Sequence, residues 1–279
     1  MDISWKRDGY LPGVPCWVDT SQPDPRAGAE FYAGLFGWEF EDRMPEDAPG
    51  HYFVARLEGA DVAAVGSQMA EGPIAWSTYI WVESADETAA KVKAAAGSVL
   101  AEPFDVLDAG RMAIFADPAG AVFSVWQAGT HRGAEAVNAA GTWNWSDLNT
   151  NDFEGAKEFY GAVFGWTPLG GDDFTMWTVP GYSDFLQRDD PNIKERHAEA
   201  GAPEGFSDAI GWMQPLRGDA PPHWSVTFSV DDVDATAARA AELGGTVIVE
   251  PFDVEPVRVA VLSDPAGAVF AVNKYDPTD

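Results

Sequence analysis

The sequence predicts an α+β fold: four βαβββ modules in two similar halves, with curved mixed sheets and helices packed outside. Three observations carry that expectation. FYAGLFGW at 31–38 returns as FYGAVFGW at 159–166, and DPAGAVF stands at both 117–123 and 264–270. Within each half, a strand, a helix and several short strands follow one another twice.

The modules open on strands: GVPCWVDT (13–20) in the first half matches GTWNWSDL (141–148) in the second. Each is followed by a helix signal. Asp24 precedes Pro25, a residue suited to the first helical position. Asp152 is placed as the N-cap of the corresponding helix, with Ala156, Phe159, Tyr160, Val163 and Phe164 at helical spacing on one stripe. Gly165 then ends that helix. The repeated FY…FGW segment is therefore the aromatic half of a helix that must bury against a sheet, and its role is core packing. Short strands bounded by turn residues follow at roughly 51–57, 61–68, 109–116 and 121–127, the last two joined by an Asp-Pro-Ala-Gly hairpin turn.

The second module of each half opens on WSTYIWVESAD (76–86) or WSVTFSVDDVD (224–234), and continues through AEPFDV (101–106) or VEPFDV (249–254). Matched segments drift apart between Trp38/Trp166 and Trp76/Trp224, so the second half holds an insertion, placed near 183–205 and read as a solvated loop, with a lid over a cavity or part of a dimer contact as the alternatives. The expected domains are 1–130 and 141–279, joined by a linker at 131–140. Consecutive modules are expected to pair within each half.

Composition bounds the function classes. Apolar residues make up 46% and charged residues 22%, which suits a globular chain. Lys plus Arg is 17 against 45 Asp plus Glu, a net charge of −28. Such a field repels phosphate backbones and anionic lipids, so no nucleic-acid or membrane partner is expected. No apolar run approaches the roughly 18 residues of a membrane span, and MDISWKRDGYLPG (1–13) lacks the apolar core of a leader. The single Cys16 fits a reducing, cytoplasmic setting.

The ordered set of strand, D…A..FY…FGW helix, strand ending in VESAD or VDDVD and DPAG hairpin, present twice, resembles the vicinal oxygen chelate superfamily. That group includes glyoxalases, bleomycin-resistance proteins and extradiol dioxygenases. The resemblance implies paired modules whose curved sheets enclose a cavity, often with a catalytic metal held from three strands. Carried over by position, the metal-binding places fall on Trp17, Ser77 and Ser124 in the first half, and on Trp145, Ser225 and Ala271 in the second. Indole offers only an N–H donor and a neutral hydroxyl is a weak ligand, so no metal and no other cofactor is expected.

Strand alternation indicates what faces the cavity instead. Trp76, Thr78, Ile80 and Val82 share the face suited to the helices, which leaves Ser77, Tyr79 and Trp81 inward. Trp17 and Asp19 join them, with Ser124 and Trp126 from the last strand. In the second half the inward set is Trp145, Asp147, Ser225, Thr227, Ser229, Ala271 and Asn273. Arg111 and Arg258 share a register six residues before the hairpin Asp and are counted with the pocket. Either the Trp residues wall a pocket for a flat, partly apolar molecule, or they fill the sheets. Asp19 and Asp147 are the candidate general bases; alternatively they pair with the arginines as structural ion pairs. His51, His131, His197 and His223 are scattered, with no metal-ligand spacing, although His223 shares the face of Ser225.

The expected function is binding of a small hydrophobic or partly aromatic metabolite or antibiotic, by a monomer or homodimer. The alternatives are a lyase, isomerase, hydrolase or hydroxylase-type enzyme working through the pocket aspartates or an atypical metal site, and a non-catalytic interaction protein.

Overall fold

The computed structural model describes residues 6–69, 72–171 and 174–275. Residues 1–5, part of the stretch read for a leader, lie outside the described residues. In the first half the order is β1 (Pro15–Gln22), α1 (Pro25–Phe36), β2 (Glu39–Asp42), β3 (Tyr52–Leu57) and β4 (Ala60–Ser67). Then come β5 (Trp76–Trp81), α2 (Ala85–Ala94), β6 (Ser98–Val106), β7 (Gly110–Ala116) and β8 (Val122–Ala128). The second half repeats this: β9 (Trp143–Asn149), α3 (Phe153–Phe164), β10 (Thr167–Gly171) and β11 (Phe174–Thr178) lead to β12 (Ala209–Gln214). Its second module is β13 (His223–Ser229), α6 (Val233–Glu242), β14 (Thr246–Val254), β15 (Val257–Ser263) and β16 (Val269–Tyr275).

Local chemistry sets the helix ends. Asp24 accepts from the Arg26 and Ala27 amides with Pro25 in the first turn, and Asp152 accepts from Gly155 N. Ser84 and Asp232 cap α2 and α6 in the same way. Gly37 and Gly165 both stop their helices at φ 73°, a conformation that a side chain would strain.

Each half forms one open, eight-stranded mixed sheet, in the orders β2-β3-β4-β1-β5-β8-β7-β6 and β10-β11-β12-β9-β13-β16-β15-β14. Consecutive modules thus pair within a half, through the antiparallel β1/β5 and β9/β13 seams. The helices lie on one face of each sheet. Those helix-bearing faces are turned toward each other: Thr78 of β5 donates to Ser146 of β9 at 2.8 Å, and beside that contact α1 meets α6 and α2 meets α3.

The duplicated aromatic segment explains that placement. Phe36 of α1 reaches across to Phe228 at 5.1 Å and Phe270 at 6.2 Å, ring centre to ring centre. From α3, Phe159, Tyr160 and Phe164 lie 6.1, 5.7 and 5.9 Å from Phe123 of the first half. The Tyr32 hydroxyl donates to Asp264 at 2.9 Å, and the Tyr160 hydroxyl to Asp117 at 3.1 Å, each in the other half's DPAG turn. The Trp38 and Trp166 indoles reach Gly141 O and Gly13 O, both at 2.7 Å. Core packing is the role expected of this segment, and the core it builds is shared by both halves.

The inserted stretch is not a solvated loop. It folds into α4 (Tyr182–Leu186), α5 (Ile193–Glu199) and a 3-10 turn (Phe206–Asp208), burying Tyr182, Leu186 and Ile193. Tyr182 also takes a hydrogen bond from Arg7 at 2.9 Å, which ties the insertion to the N-terminal segment. Among the described residues, no helix is long and apolar enough to cross a membrane.

Candidate functional site

The sheet face away from the helices carries the polar chemistry. In the first half, β1 and β5 register Trp17 against Tyr79 and Asp19 against Ser77, and β8 adds Ser124 beside Tyr79 and Trp126 beside Trp81. These seven residues therefore share one face, as alternation predicts. Trp76, on the other face, donates its indole N–H to Tyr32 of α1 at 3.0 Å.

At the centre is a buried carboxylate clothed in hydroxyls. Asp19 Oδ2 accepts from the Tyr79 hydroxyl at 2.8 Å and the Tyr52 hydroxyl at 3.0 Å, while Trp17 Nε1 donates to Tyr52 at 2.9 Å. Burial pushes the Asp19 carboxyl up to about 6, opposed by hydrogen bonds from Tyr79, Tyr52 and Ser77. Burial, then the neighbouring Asp19 charge, lifts both tyrosines well above their ordinary range. Tyr52 arrives from β3, opposite Gly66, where a Cβ would stand 3.1 Å from its ring. Sequence reasoning missed Tyr52, because its facing depends on the β3/β4 pairing; the small Gly66 was the signal.

His131, one of the scattered histidines, is brought to this face by the linker. Its ring lies edge-on to Trp17 at 4.4 Å and Trp126 at 5.7 Å, and Trp126 Nε1 donates to His131 O at 3.0 Å. Burial, helped by the Arg43 charge and opposed by Glu135, lowers its pKa to about 4, so the ring is neutral at neutral pH.

The second-half face follows the same register with different partners. Asp147 lies opposite Ser225 and Trp145 opposite Thr227; Thr227 is beside Ala271 and Ser229 beside Asn273. Asp147 Oδ1 accepts the Trp212 amide at 3.0 Å, and Oδ2 has Gln214 Nε2 at 3.5 Å. Burial raises its carboxyl to about 7, against the Trp212 N–H. Trp145 and Trp212 lie 6.3 Å apart above it, both half-buried. Asn273 accepts from Asn144 Nδ2 at 3.0 Å, and Ser225 Oγ accepts from Asn149 Nδ2 at 2.9 Å.

Arg111 and Arg258 do not belong to either face, and they do not pair with Asp19 or Asp147. Arg111 grips Asp86 of α2 and Asp105 of β6, both at 2.8 Å; Arg258 grips Asp234 of α6 and Asp253 of β14, both at 2.7 Å. The cause is register. Trp126 lies opposite Met112, not Arg111, so Met112 and then Ile114 share the face of Trp126 and Ser124, while Arg111 turns to the helices. Phe104 of β6, opposite Met112, extends that apolar wall and is 44% exposed. Cys16 is buried, as expected. His51 pairs with Asp42, His197 with Ser207, and His223 with the Pro221 carbonyl at the surface.

Comparison with known proteins agrees with this architecture. The model of the glyoxalase/bleomycin resistance protein/dioxygenase superfamily matches residues 17–125, and a glyoxalase-like domain model matches 146–273. The chain belongs to this superfamily, the vicinal oxygen chelate proteins, as a tandem member. It is 41% identical over 277 residues to CFP32 of Mycobacterium tuberculosis, a protein named as a glyoxylase, covering 98% of each chain. It is 36% identical to the anthracycline biosynthesis protein DnrV of Streptomyces peucetius, covering 94% of each. Among solved structures, the Mn(II)-bound glyoxalase from Novosphingobium aromaticivorans matches 95% of this chain and 84% of its own, with a TM-score of 0.60 at 18% identity. The 2,3-dioxygenase LapB from Pseudomonas sp. KL28 matches 94% and 93%, with a TM-score of 0.59 at 12% identity. These two likenesses concern the fold.

Proposed function

We propose that this protein binds a small, flat, partly aromatic metabolite or antibiotic at the face of its first-half sheet turned away from the helices, without a metal ion. The carrying observation is the Trp17–Tyr52–Asp19–Tyr79 hydrogen-bond chain, set beside an apolar wall of Trp126, Met112 and Phe104. Aromatic walls with a few fixed polar groups suit a planar ligand bearing hydroxyl or carbonyl groups. DnrV, named for anthracycline biosynthesis, supports a polycyclic ligand class.

The residues present do not fit the family's metal. Trp17 Nε1 is spent as a donor to Tyr52, and an indole nitrogen has no lone pair to offer an ion. Ser77 and Ser124 are neutral hydroxyls, and Ala271 has no donor. Among the described residues, no three His, Cys, Asp or Glu side chains gather into a potential ion site. The protein acts in the cytoplasm as a monomer or homodimer, with 1–130 and 141–279 as its domains and no nucleic-acid or membrane partner.

Titration of the intrinsic tryptophan fluorescence with polycyclic aromatics, including 1-hydroxyanthraquinone and its hydrocarbon parent anthracene, tests the binding reading. Saturable quenching is expected; a flat response across the panel contradicts it.

A second reading has its own observation. Asp147, held near 7 and meeting one carboxylate oxygen only through a long Gln214 contact, is poised to exchange a proton at neutral pH. In an enzyme of this kind Asp147→Asn abolishes turnover and leaves binding intact.

A further inference from the structure

We infer that His131, delivered by the segment between the halves, is the group that orients the ligand in the first-half site, offering Nε2 to a hydroxyl or carbonyl on the ligand's rim. The inference rests on the binding reading above.

The backbone that carries the ring is held from several sides. His131 N donates to Ala109 O at 3.0 Å, its carbonyl takes the Trp126 indole at 3.0 Å, and Ala134 N donates to Cys16 O at 2.8 Å. The imidazole stands edge-on between Trp17, which belongs to the Asp19 chain, and Trp126, both buried. Turning the ring out would break its edge contacts with both indoles.

Nε2 is nevertheless buried and has no hydrogen-bond partner among the described residues. Buried polar atoms almost always find a partner, and an orphan one calls for an occupant. A lone water is poorly served beside two indole rings, since a buried water needs two to four polar partners. A planar ligand answers both needs: its faces match the indoles and its polar rim meets Nε2. Because the ring is neutral, Nε2 serves as donor or acceptor according to tautomer, which suits a phenolic hydroxyl or a quinone carbonyl. Asp19, with its tyrosines, is then the second polar anchor of the same slot.

Calorimetric titration of full-length wild-type protein, His131→Phe and His131→Gln with 1-hydroxyanthraquinone and with anthracene tests this. Phe keeps the aromatic packing and removes the nitrogen. The expected result is roughly a tenfold loss of affinity for 1-hydroxyanthraquinone in His131→Phe. Anthracene binding changes less than about twofold, and His131→Gln recovers most of the loss. An orphan nitrogen also means that His131→Phe melts at or above the wild-type temperature; a clear fall would reveal a structural partner for Nε2 and overturn the inference. Wild-type affinity for 1-hydroxyanthraquinone in His131→Phe, or an equal loss for both probes, overturns the inference and leaves the binding reading standing. No saturable binding of either probe to the wild-type protein overturns both.

Discussion

Asp19 and Asp147 are the same residue at the same register and differ in what surrounds them. Asp19 receives three hydroxyls, whereas Asp147 receives one amide and a distant glutamine. Both carboxyls are raised from 3.8, to about 6 and about 7, so in each case the folded state favours the protonated form. Stability from these groups is fully present below about pH 4 and is lost as pH climbs through those folded values. Ionising Asp147 thus costs the native state up to about 4 kcal/mol. Asp147→Asn should raise the melting temperature at pH 8 by several degrees and flatten its fall between pH 4 and 8, measured by circular dichroism. Tyr52→Phe strips one donor from Asp19 and should lower stability at pH 8 by about 1 kcal/mol, with less effect at pH 4. The inward aspartates were legible from alternation alone. Tyr52 and Met112 were not, and Arg111 was misplaced, because which way these residues face is decided by pairing between strands distant in sequence.

At the level of elements, α3 was readable in full from its cap, stripe and stop, and α1 from its Asp24-Pro25 start and the repeated aromatic segment. What the stripe packs against was not, since nothing within a helix says that its aromatic edge crosses to the other half. Gly97 shows how tight that crossing is, because a Cβ there would lie 2.7 Å from Phe159 and 2.9 Å from Ala116 O. Gly97→Ala should therefore cost about 1–3 kcal/mol in urea unfolding. Gly245 faces Phe31 in the mirrored position, its Cβ place 3.0 Å from that ring. The insertion was misread because helices as short as Tyr182–Leu186 and Ile193–Glu199 offer too few turns for a periodic signal.

The whole molecule is two homologous halves locked by reciprocal aromatic wedges and by tyrosine-to-aspartate bonds across the divide. Calorimetry should show one cooperative transition; two separated transitions would mean that the halves fold independently. Outside that core, the face of the first sheet away from the helices carries the Trp17–Tyr52–Asp19–Tyr79 hydrogen-bond chain on which the proposed metal-free site is built. The most direct test is a calorimetric titration of 1-hydroxyanthraquinone into the protein, run once after exhaustive chelation and once with added Mn(II). Saturable binding with the same affinity in both runs is the predicted result. Binding that appears only with the metal, or in neither run, would contradict the account.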